Sequence, residues 1–199
     1  MTAVILAGGG STRMGRDKAA IEVAGRTLLQ RVIDAAAEAA DQTVVVLAPG
    51  QSLPPLEPRG PLRLTTDAVA DQGPLSGLLA GLEVVEGDVA LVIACDQPFV
   101  RPALLRMLTT QAAEAPAVLP MFDGRPQPLC AAVRTDQTPL LREAYARGGR
   151  AASALADLPG AVLLPPAVWH AADAEGVSFI GANTPDDLVR CEATARLLG

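Results

Sequence analysis

One short stretch near the N-terminus constrains what this chain can fold into more than any other. The apolar run over residues 4–7 is typical of a buried strand, and it breaks abruptly into three glycines at positions 8–10. Glycine has no Cβ, so such a turn can bring backbone N–H groups close to an anion. Arg13, Arg16 and Lys18 then add three positive charges to a chain whose net charge is −6. This local reversal of charge predicts a phosphate site.

Spacing excludes two familiar glycine-rich motifs. A dinucleotide fingerprint needs G-x-G-x-x-G, but Arg13 stands where the third glycine would be. A P-loop needs G-x-x-x-x-G-K-[ST]; Gly10 and Gly15 have the right spacing, yet no Lys-Ser or Lys-Thr pair follows them. What remains over residues 6–18 is the pattern L-A-G-G-x-S-x-R-M-G-x-D-K.

Strand-like runs alternate with helical patterns through the first half of the chain. Further strands are predicted over residues 43–47, 62–65 and 89–95, and helices over residues 28–40, 75–85 and 102–111. Such alternation implies right-handed crossovers and a mainly parallel sheet. Ligands in these sheets bind beyond the carboxyl ends of the strands. We therefore expect the glycine-rich turn and Asp96, which follows a strand, to face one cleft.

The C-terminal half is less regular. Residues 117–121 and 128–133 are predicted as a hairpin around Asp123-Gly124, with a connection longer than two residues, and residues 177–179 as a last strand. Thr184 and Pro185 form a clear helix start. A helix over residues 138–147, a short alanine-rich helix after Gly149 and a strand over residues 162–164 complete the prediction. Because no linker or repeat interrupts the pattern, residues 1–199 are expected to form a single domain.

Composition narrows the class of protein. The chain has 199 residues, 50% hydrophobic and 19% charged, which indicates a globular fold. Its acidic balance argues against a general nucleic-acid binder. Three widely spaced cysteines without a C-x-x-C pair indicate neither a disulfide framework nor a zinc site, and are expected in the core. With no signal-peptide pattern and no apolar stretch near the ~20 residues of a membrane span, a soluble cytoplasmic protein is expected.

Charged residues at the predicted cleft suggest its chemistry. Asp96 ends a buried apolar strand, where a carboxylate is costly unless something pairs with it. A divalent cation is a natural partner where phosphates are nearby, whereas the alternative is an aspartate that caps the following loop. Lys18 and Arg13 would neutralise the charge of a triphosphate, and the alternative is a pair of exposed basic residues. The only histidine, His170, is expected to be a surface or packing residue.

The pattern over residues 6–18 is similar to the signature of the small nucleotidyltransferases, most closely the molybdenum cofactor guanylyltransferases. Matching segments recur in the family order at residues 67–77, 94–98 and 183–188. The resemblance implies a three-layer α/β/α Rossmann-like nucleotidyltransferase fold. It also implies transfer of GMP from GTP to the terminal phosphate of molybdopterin or molybdenum-molybdopterin, with release of pyrophosphate, to form the guanine dinucleotide form of the molybdenum cofactor.

The same resemblance assigns site residues. It implies that Asp96 ligates Mg²⁺ and that catalysis depends on Arg13, Lys18 and Asp96. The nucleotide-binding residues would be Leu6, Ala7, Gly8, Gly9, Lys18, Asp67 and Asp96, and the substrate-binding residues Gly73, Gly77 and Asn183. Taken alone, Asp67 and Asn183 could equally be structural turn residues, and the two glycines could simply cap a helix.

Two departures from the family pattern leave other functions open. Pro49 and Gly181 stand where guanylyltransferases commonly have asparagines, although L-A-G-G rather than L-A-A-G favours guanylyl transfer. The alternatives are a cytidylyltransferase of the same fold, acting on molybdopterin or another phosphorylated small molecule, and a non-catalytic nucleotide-binding module in cofactor assembly. The expected partners are GTP and molybdopterin, with room for transient contact with molybdoenzyme chaperones, and neither nucleic acid nor membrane.

Overall fold

The structure is a computed structural model that describes residues 1–8, 17–67 and 72–198. Within them a mixed, mainly parallel sheet lies between two layers of helices, which confirms the three-layer α/β/α architecture. The strands are β1 (Thr2–Leu6), β2 (Glu22–Val23), β3 (Arg26–Thr27), β4 (Gln42–Leu47), β5 (Leu62–Thr66), β6 (Val89–Ala94), β7 (Ala117–Phe122), β8 (Arg125–Pro126), β9 (Cys130–Arg134) and β10 (Val162–Leu164). The α-helices are α1 (Leu28–Ala37), α2 (Pro74–Leu82), α3 (Pro102–Ala112), α4 (Thr138–Ala146), α5 (Pro166–Trp169) and α6 (Pro185–Leu198).

The order of the strands brings three carboxyl ends to one place. The sheet runs β10-β7-β9-β6-β1-β4-β5, with β8 paired to β7, while β2 and β3 form a separate hairpin. Strands β6, β1, β4 and β5 are parallel, whereas β9 runs antiparallel between β6 and β7. Leu6 at the end of β1 is level with Val46 in β4 and Ala94 in β6. The segments that follow these strands therefore leave the sheet side by side.

Alternating side chains of the central strands fill two cores. Ala3 and Ile5 of β1 pack in the cluster with α1 and α3, whereas Val4 and Leu6 pack in the cluster with α2 and α4. This burial on both faces explains why β1, β4 and β6 are continuous apolar runs. A third cluster joins the β2–β3 hairpin to α6, and Cys191 of α6 is fully buried in it. None of the helices in the described part of the chain has the length and apolarity of a membrane span.

The predicted hairpin is present as the antiparallel pair β7 and β9, and a second, shorter hairpin of β7 with β8 lies within its connection. Asp123 and Gly124 have φ of 48° and 71°, and they join Phe122 directly to Arg125 in an antiparallel pair. Positive φ at both positions is the geometry of a two-residue hairpin turn. After this short hairpin the chain continues into β9, which pairs antiparallel with the start of β7 at Ala117 and Val118. The connection between β7 and β9 is longer than two residues, as predicted, but the short strand β8 inside it was not predicted.

The last strand predicted, over residues 177–179, is a 3-10 turn instead. Gly176 precedes it in the left-handed conformation, with φ of 64°. The buried carboxylate of Asp173 accepts hydrogen bonds from the backbone N–H groups of Val177 and Ser178 at 3.1 and 2.8 Å. These backbone donors are thereby directed to one side chain rather than to a neighbouring strand.

Candidate active site

A cavity of about 580 Å³ opens where β1, β4 and β6 end. Most of the described residues that the sequence singles out line this cavity. They are Leu6, Ala7, Gly8, Lys18, Asp67, Gly73, Gly77 and Asp96. Pro49, which departs from the family pattern, also lies in its wall. Gly9 and Arg13 lie outside the described residues.

Lys18 connects segments that are far apart in the sequence. Its ammonium nitrogen Nζ donates to Asp96 Oδ2 at 3.0 Å and to Asn183 Oδ1 at 2.6 Å. The Lys18 and Asp96 side chains are 23% and 21% exposed, so this ion pair is neither buried nor fully solvated. The fold thus brings together one residue from each of three motifs, beside the cavity at the carboxyl ends of the strands.

The C-terminal segment is attached directly to the end of β6. The backbone N–H of Ala182 donates to the Asp96 carbonyl oxygen at 2.9 Å. One residue further, the backbone N–H groups of Asn183 and Thr184 donate to Asp187 Oδ2 at 3.0 and 2.9 Å. Asp187 belongs to the first turn of α6, and its own N–H donates to Thr184 Oγ1 at 3.1 Å. This reciprocal capping fixes the helix start and with it the backbone of Asn183.

Electrostatics at this helix start favour the ionised aspartate. Burial alone raises the pKa of Asp187, but hydrogen bonds from Arg190, Thr184 and the backbone N–H of Asn183 outweigh it and hold the pKa below its ordinary value. The Asp187 side chain is only 12% exposed, and Arg190 forms an ion pair with its carboxylate. The capping arrangement is therefore charged at neutral pH.

Asp67 contacts the first turn of α2. The Ser76 hydroxyl donates to Asp67 Oδ1 at 2.6 Å, and the Asp67 backbone N–H donates to the Leu47 carbonyl oxygen at 2.9 Å. A Cβ added at Gly77 would lie 3.7 Å from Asp67 Oδ2, which is ordinary van der Waals contact. The neighbouring protein atoms thus do not by themselves require glycine at position 77.

Two other glycines are required by close backbone approach. A Cβ at Gly8 would lie 2.5 Å from the Ala48 backbone nitrogen, and one at Gly73 would lie 2.5 Å from the Arg150 carbonyl oxygen. Gly73 also has φ of 82° and is the N-cap residue of α2. The helix-capping alternative for Gly73 therefore has direct structural support, because packing and backbone conformation already account for this glycine.

Two polar residues with central contacts, Gln51 and Ser76, are not among the predicted site residues. The side chain of Gln51 links Asp17 to the backbone of Ala7 and Ala48, and Ser76 holds Asp67. Gln51 stands in no unusual local pattern, and Ser76 lies in the matching segment over residues 67–77, where a serine in a first helical turn is common. The importance of Gln51 and Ser76 is evident only from the fold, which places them next to Asp17 and Asp67.

The three cysteines and the histidine have no reactive role in the candidate site. All three cysteines are buried and free, which confirms the core prediction. Cys95 precedes Asp96 and lines the cavity, but burial and then the neighbouring Asp96 charge raise the pKa of its thiol to about 12. His170 is exposed and its ring lies 6.4 Å from that of Trp169.

Comparison with known proteins relates this site to a family. A model described as a MobA-like NTP transferase domain matches residues 3–162. The chain is 33% identical over 199 residues to a probable molybdenum cofactor guanylyltransferase of Chloroflexus aggregans, with 97% of this chain and 94% of that relative covered.

Solved structures give the same relationship. Molybdopterin-guanine dinucleotide biosynthesis protein A from Archaeoglobus fulgidus matches with a TM-score of 0.81 at 26% identity, over 99% of this chain and 100% of that one. A Mycobacterium tuberculosis protein solved as a complex with manganese shares the fold at 19% identity, with a TM-score of 0.67 and coverage of 97% and 98%. The chain is therefore a nucleotidyltransferase that belongs to the MobA-like NTP transferase family.

Proposed function

We propose that this enzyme transfers GMP from GTP to the terminal phosphate of molybdopterin, with or without bound molybdenum, and releases pyrophosphate. The observation that carries the proposal is the convergence of Lys18, Asp96 and Asn183 beside one cavity. The name of the Chloroflexus aggregans relative, which aligns over nearly its whole length, supports the same substrates.

The nucleotide would lie in the cavity between the carboxyl end of β1 and Asp67. About 580 Å³ is within the range of small-ligand sites. The backbone of residues 6–8 and the Asp67 carboxylate are among the groups that line it. Guanine carries N–H donors on one edge, so a carboxylate and backbone carbonyl groups are suitable partners for it.

We propose Mg²⁺ as the cofactor, with Asp96 as its protein ligand. Mg²⁺ in proteins is commonly held by one or two carboxylates together with substrate phosphates. The donor chemistry fits this pattern, because the partly exposed Asp96 carboxylate lines the cavity. When bound, the ion would neutralise charge on the phosphate oxygens.

The chain's own residues would act by alignment and charge. The acceptor phosphate is already anionic at neutral pH, so no side chain needs to remove a proton. Its oxygen forms a bond to the α-phosphorus of GTP, while the bond from that phosphorus to the β-phosphate oxygen breaks and its electron pair leaves with pyrophosphate. Lys18 donates to phosphate oxygens, and Asn183 limits the positions that its ammonium samples. Arg13 is expected to add a second positive charge.

Pyrophosphate release from the full chain with Mg²⁺ and molybdopterin tests the proposal, with GTP compared against CTP. We expect release with GTP that falls at least about 100-fold in Asp96→Asn, a substitution that keeps the size and removes the charge. Asp136→Asn is the matched control, because Asp136 is an exposed acid paired with Arg134. It should keep wild-type turnover.

Other outcomes would identify the alternatives. Preferential release with CTP would make the enzyme a cytidylyltransferase. Tight nucleotide binding without release, in the presence of a demonstrably competent acceptor, would indicate an assembly module rather than a transferase.

A further inference from the structure

We propose that Gln51 is a positioning residue for the transfer reaction. Its side-chain amide holds Asp17, and through Asp17 the neighbouring Lys18, against the carboxyl ends of β1 and β4. This inference rests on the proposed function of Lys18. Gln51 lies in the loop between β4 and β5, outside the sequence motifs that resemble the family.

Both ends of the Gln51 amide have partners. Nε2 donates to the Ala7 carbonyl oxygen at 3.1 Å and to the two carboxylate oxygens of Asp17 at 3.0 and 2.8 Å. Oε1 accepts from the backbone N–H of Ala48 at 2.9 Å. An amide nitrogen carries two N–H groups, so one can serve Ala7 while the carboxylate oxygens share the other. A single side chain thus joins the residue after β1, the residue after β4 and Asp17.

Asp17 links the Gln51 contact to Lys18, which follows it in the chain. Its Oδ1 accepts from the Ala19 backbone N–H at 3.0 Å and caps a short 3-10 helix, Lys18–Ala20. Ala19 is fully buried, so this helix is held on its core side as well. Because Asp17 precedes Lys18, its position sets where the lysine side chain starts towards Asp96. Gln51 therefore connects the catalytic ammonium to the rigid edge of the sheet.

The contact depends on the direction of its hydrogen bonds. Asp17 and the Ala7 carbonyl present only acceptors to Nε2, and an amide supplies the donors that they need. Glu at position 51 has the same size but would place a second carboxylate beside Asp17. Repulsion between the like charges would then separate residue 17 from the sheet.

Gln30 of α1 offers a matched control, because its side chain holds the same loop. Its Nε2 donates to Asp34 Oδ1 and to the Glu57 carbonyl oxygen, both at 3.0 Å, and its Oε1 accepts from the Glu57 N–H at 2.8 Å. Gln30 thus fastens the far end of the β4–β5 loop to α1 with the same kinds of bond. Gln30→Glu adds the same carboxylate beside an aspartate without touching Asp17.

The test is a double-substitution cycle on nucleotide affinity. Titration calorimetry compares the wild type, Lys18→Ala, Gln51→Glu and the double variant, using whichever of GTP and CTP the wild type binds more tightly. We expect Lys18→Ala to weaken binding about tenfold, the size of a charged hydrogen bond. Gln51→Glu should weaken it about fivefold, yet add less than about twofold in the Lys18→Ala background. Gln51→Ala, which adds no charge, should give the same pattern with a smaller loss.

The control and the turnover assay separate the outcomes. Gln30→Glu should lower the melting temperature but keep nucleotide affinity. Losses that multiply in the double variant, or equal losses in Gln30→Glu and Gln51→Glu, would overturn the role of Gln51. If the wild type binds nucleotide but releases no pyrophosphate, the proposed function is wrong. The binding cycle then still shows whether Gln51 positions Lys18 at the nucleotide. A wild-type chain that binds neither nucleotide refutes both proposals.

Discussion

Asn183 can reach Lys18 because the residue two positions before it has no side chain. A Cβ built at Gly181 would lie 2.8 Å from Asn183 Nδ2, closer than real Cβ atoms approach other groups. The Asn183 side chain would then have to shift, which disturbs the contact of its Oδ1 with Lys18 at 2.6 Å. The departure from the family pattern at position 181 thus has a physical consequence in this chain.

Gly181→Ala should lower turnover with little effect on the fold. The lost neutral-to-charged hydrogen bond predicts a fall in kcat/KM for the nucleotide of about tenfold, similar to that of Asn183→Ala. Gly60→Ala is the control, since a Cβ there meets nothing within 4 Å. Steady-state kinetics and melting temperatures check both variants. Wild-type kinetics in Gly181→Ala would mean that Asn183 has no part in placing Lys18.

The site residues found from the sequence are those whose chemistry contrasts with their surroundings. Lys18 belongs to a basic group in an acidic chain, and Asp96 follows an apolar strand. Gln51 has no such contrast, and its partner Asp17 is 34 residues away in the sequence. Its role depends on β1 and β4 being neighbours in the sheet. Local patterns do not encode that contact.

At the scale of secondary structure, the start of α6 determines how the C-terminal segment meets the site. Asp187 accepts from two backbone N–H groups, and Arg190 pairs with it. Because its folded pKa is lowered, the carboxylate contributes stability that is fully present above its ordinary pKa of about 3.9. That contribution is lost as the pH falls through the folded value.

Asp187→Asn should therefore destabilise the protein by about 1 kcal/mol at pH 7, the usual value of a capping interaction. The difference from the wild type should shrink below about pH 4, where the wild-type carboxylate becomes protonated. Urea unfolding across this pH range measures it. Asp186→Asn, at an exposed position in the same turn, is the control. A difference that stays constant with pH would show that the charge of Asp187 is not what stabilises the helix start.

Secondary structure was predictable where the apolar pattern is long and uninterrupted. The strands at residues 43–47 and 89–95 are continuous apolar runs, and both are buried on two faces. Residues 177–179 are too few to distinguish a strand from a turn, and the deciding bonds come from Asp173. The hairpin prediction implies that β9 runs antiparallel to β7, but the position of β9 between β6 and β7 was not predicted, because an apolar pattern does not specify which strands become neighbours.

At the scale of the whole molecule, the three cysteines report on different parts of the fold. Cys95 and Cys130 lie in the sheet core, and Cys191 lies in the cluster that holds α6. Burial raises the pKa of the first two thiols to about 12 and that of Cys191 to about 11. We propose that residues 1–199 unfold as one unit, since these clusters share strands and the segment that follows β6.

Thiol labelling during urea unfolding tests this proposal. The native protein should not react with a thiol reagent at pH 8, because the thiols are both buried and protonated. All three cysteines should become reactive at the same urea concentration, and at the concentration where circular dichroism shows helix loss. Peptide mass spectrometry assigns each label. Labelling of Cys191 at lower urea, with Cys95 and Cys130 still protected, would instead mean that α6 and Asn183 detach before the sheet unfolds. Nucleotide transfer would then be lost before the sheet core opens.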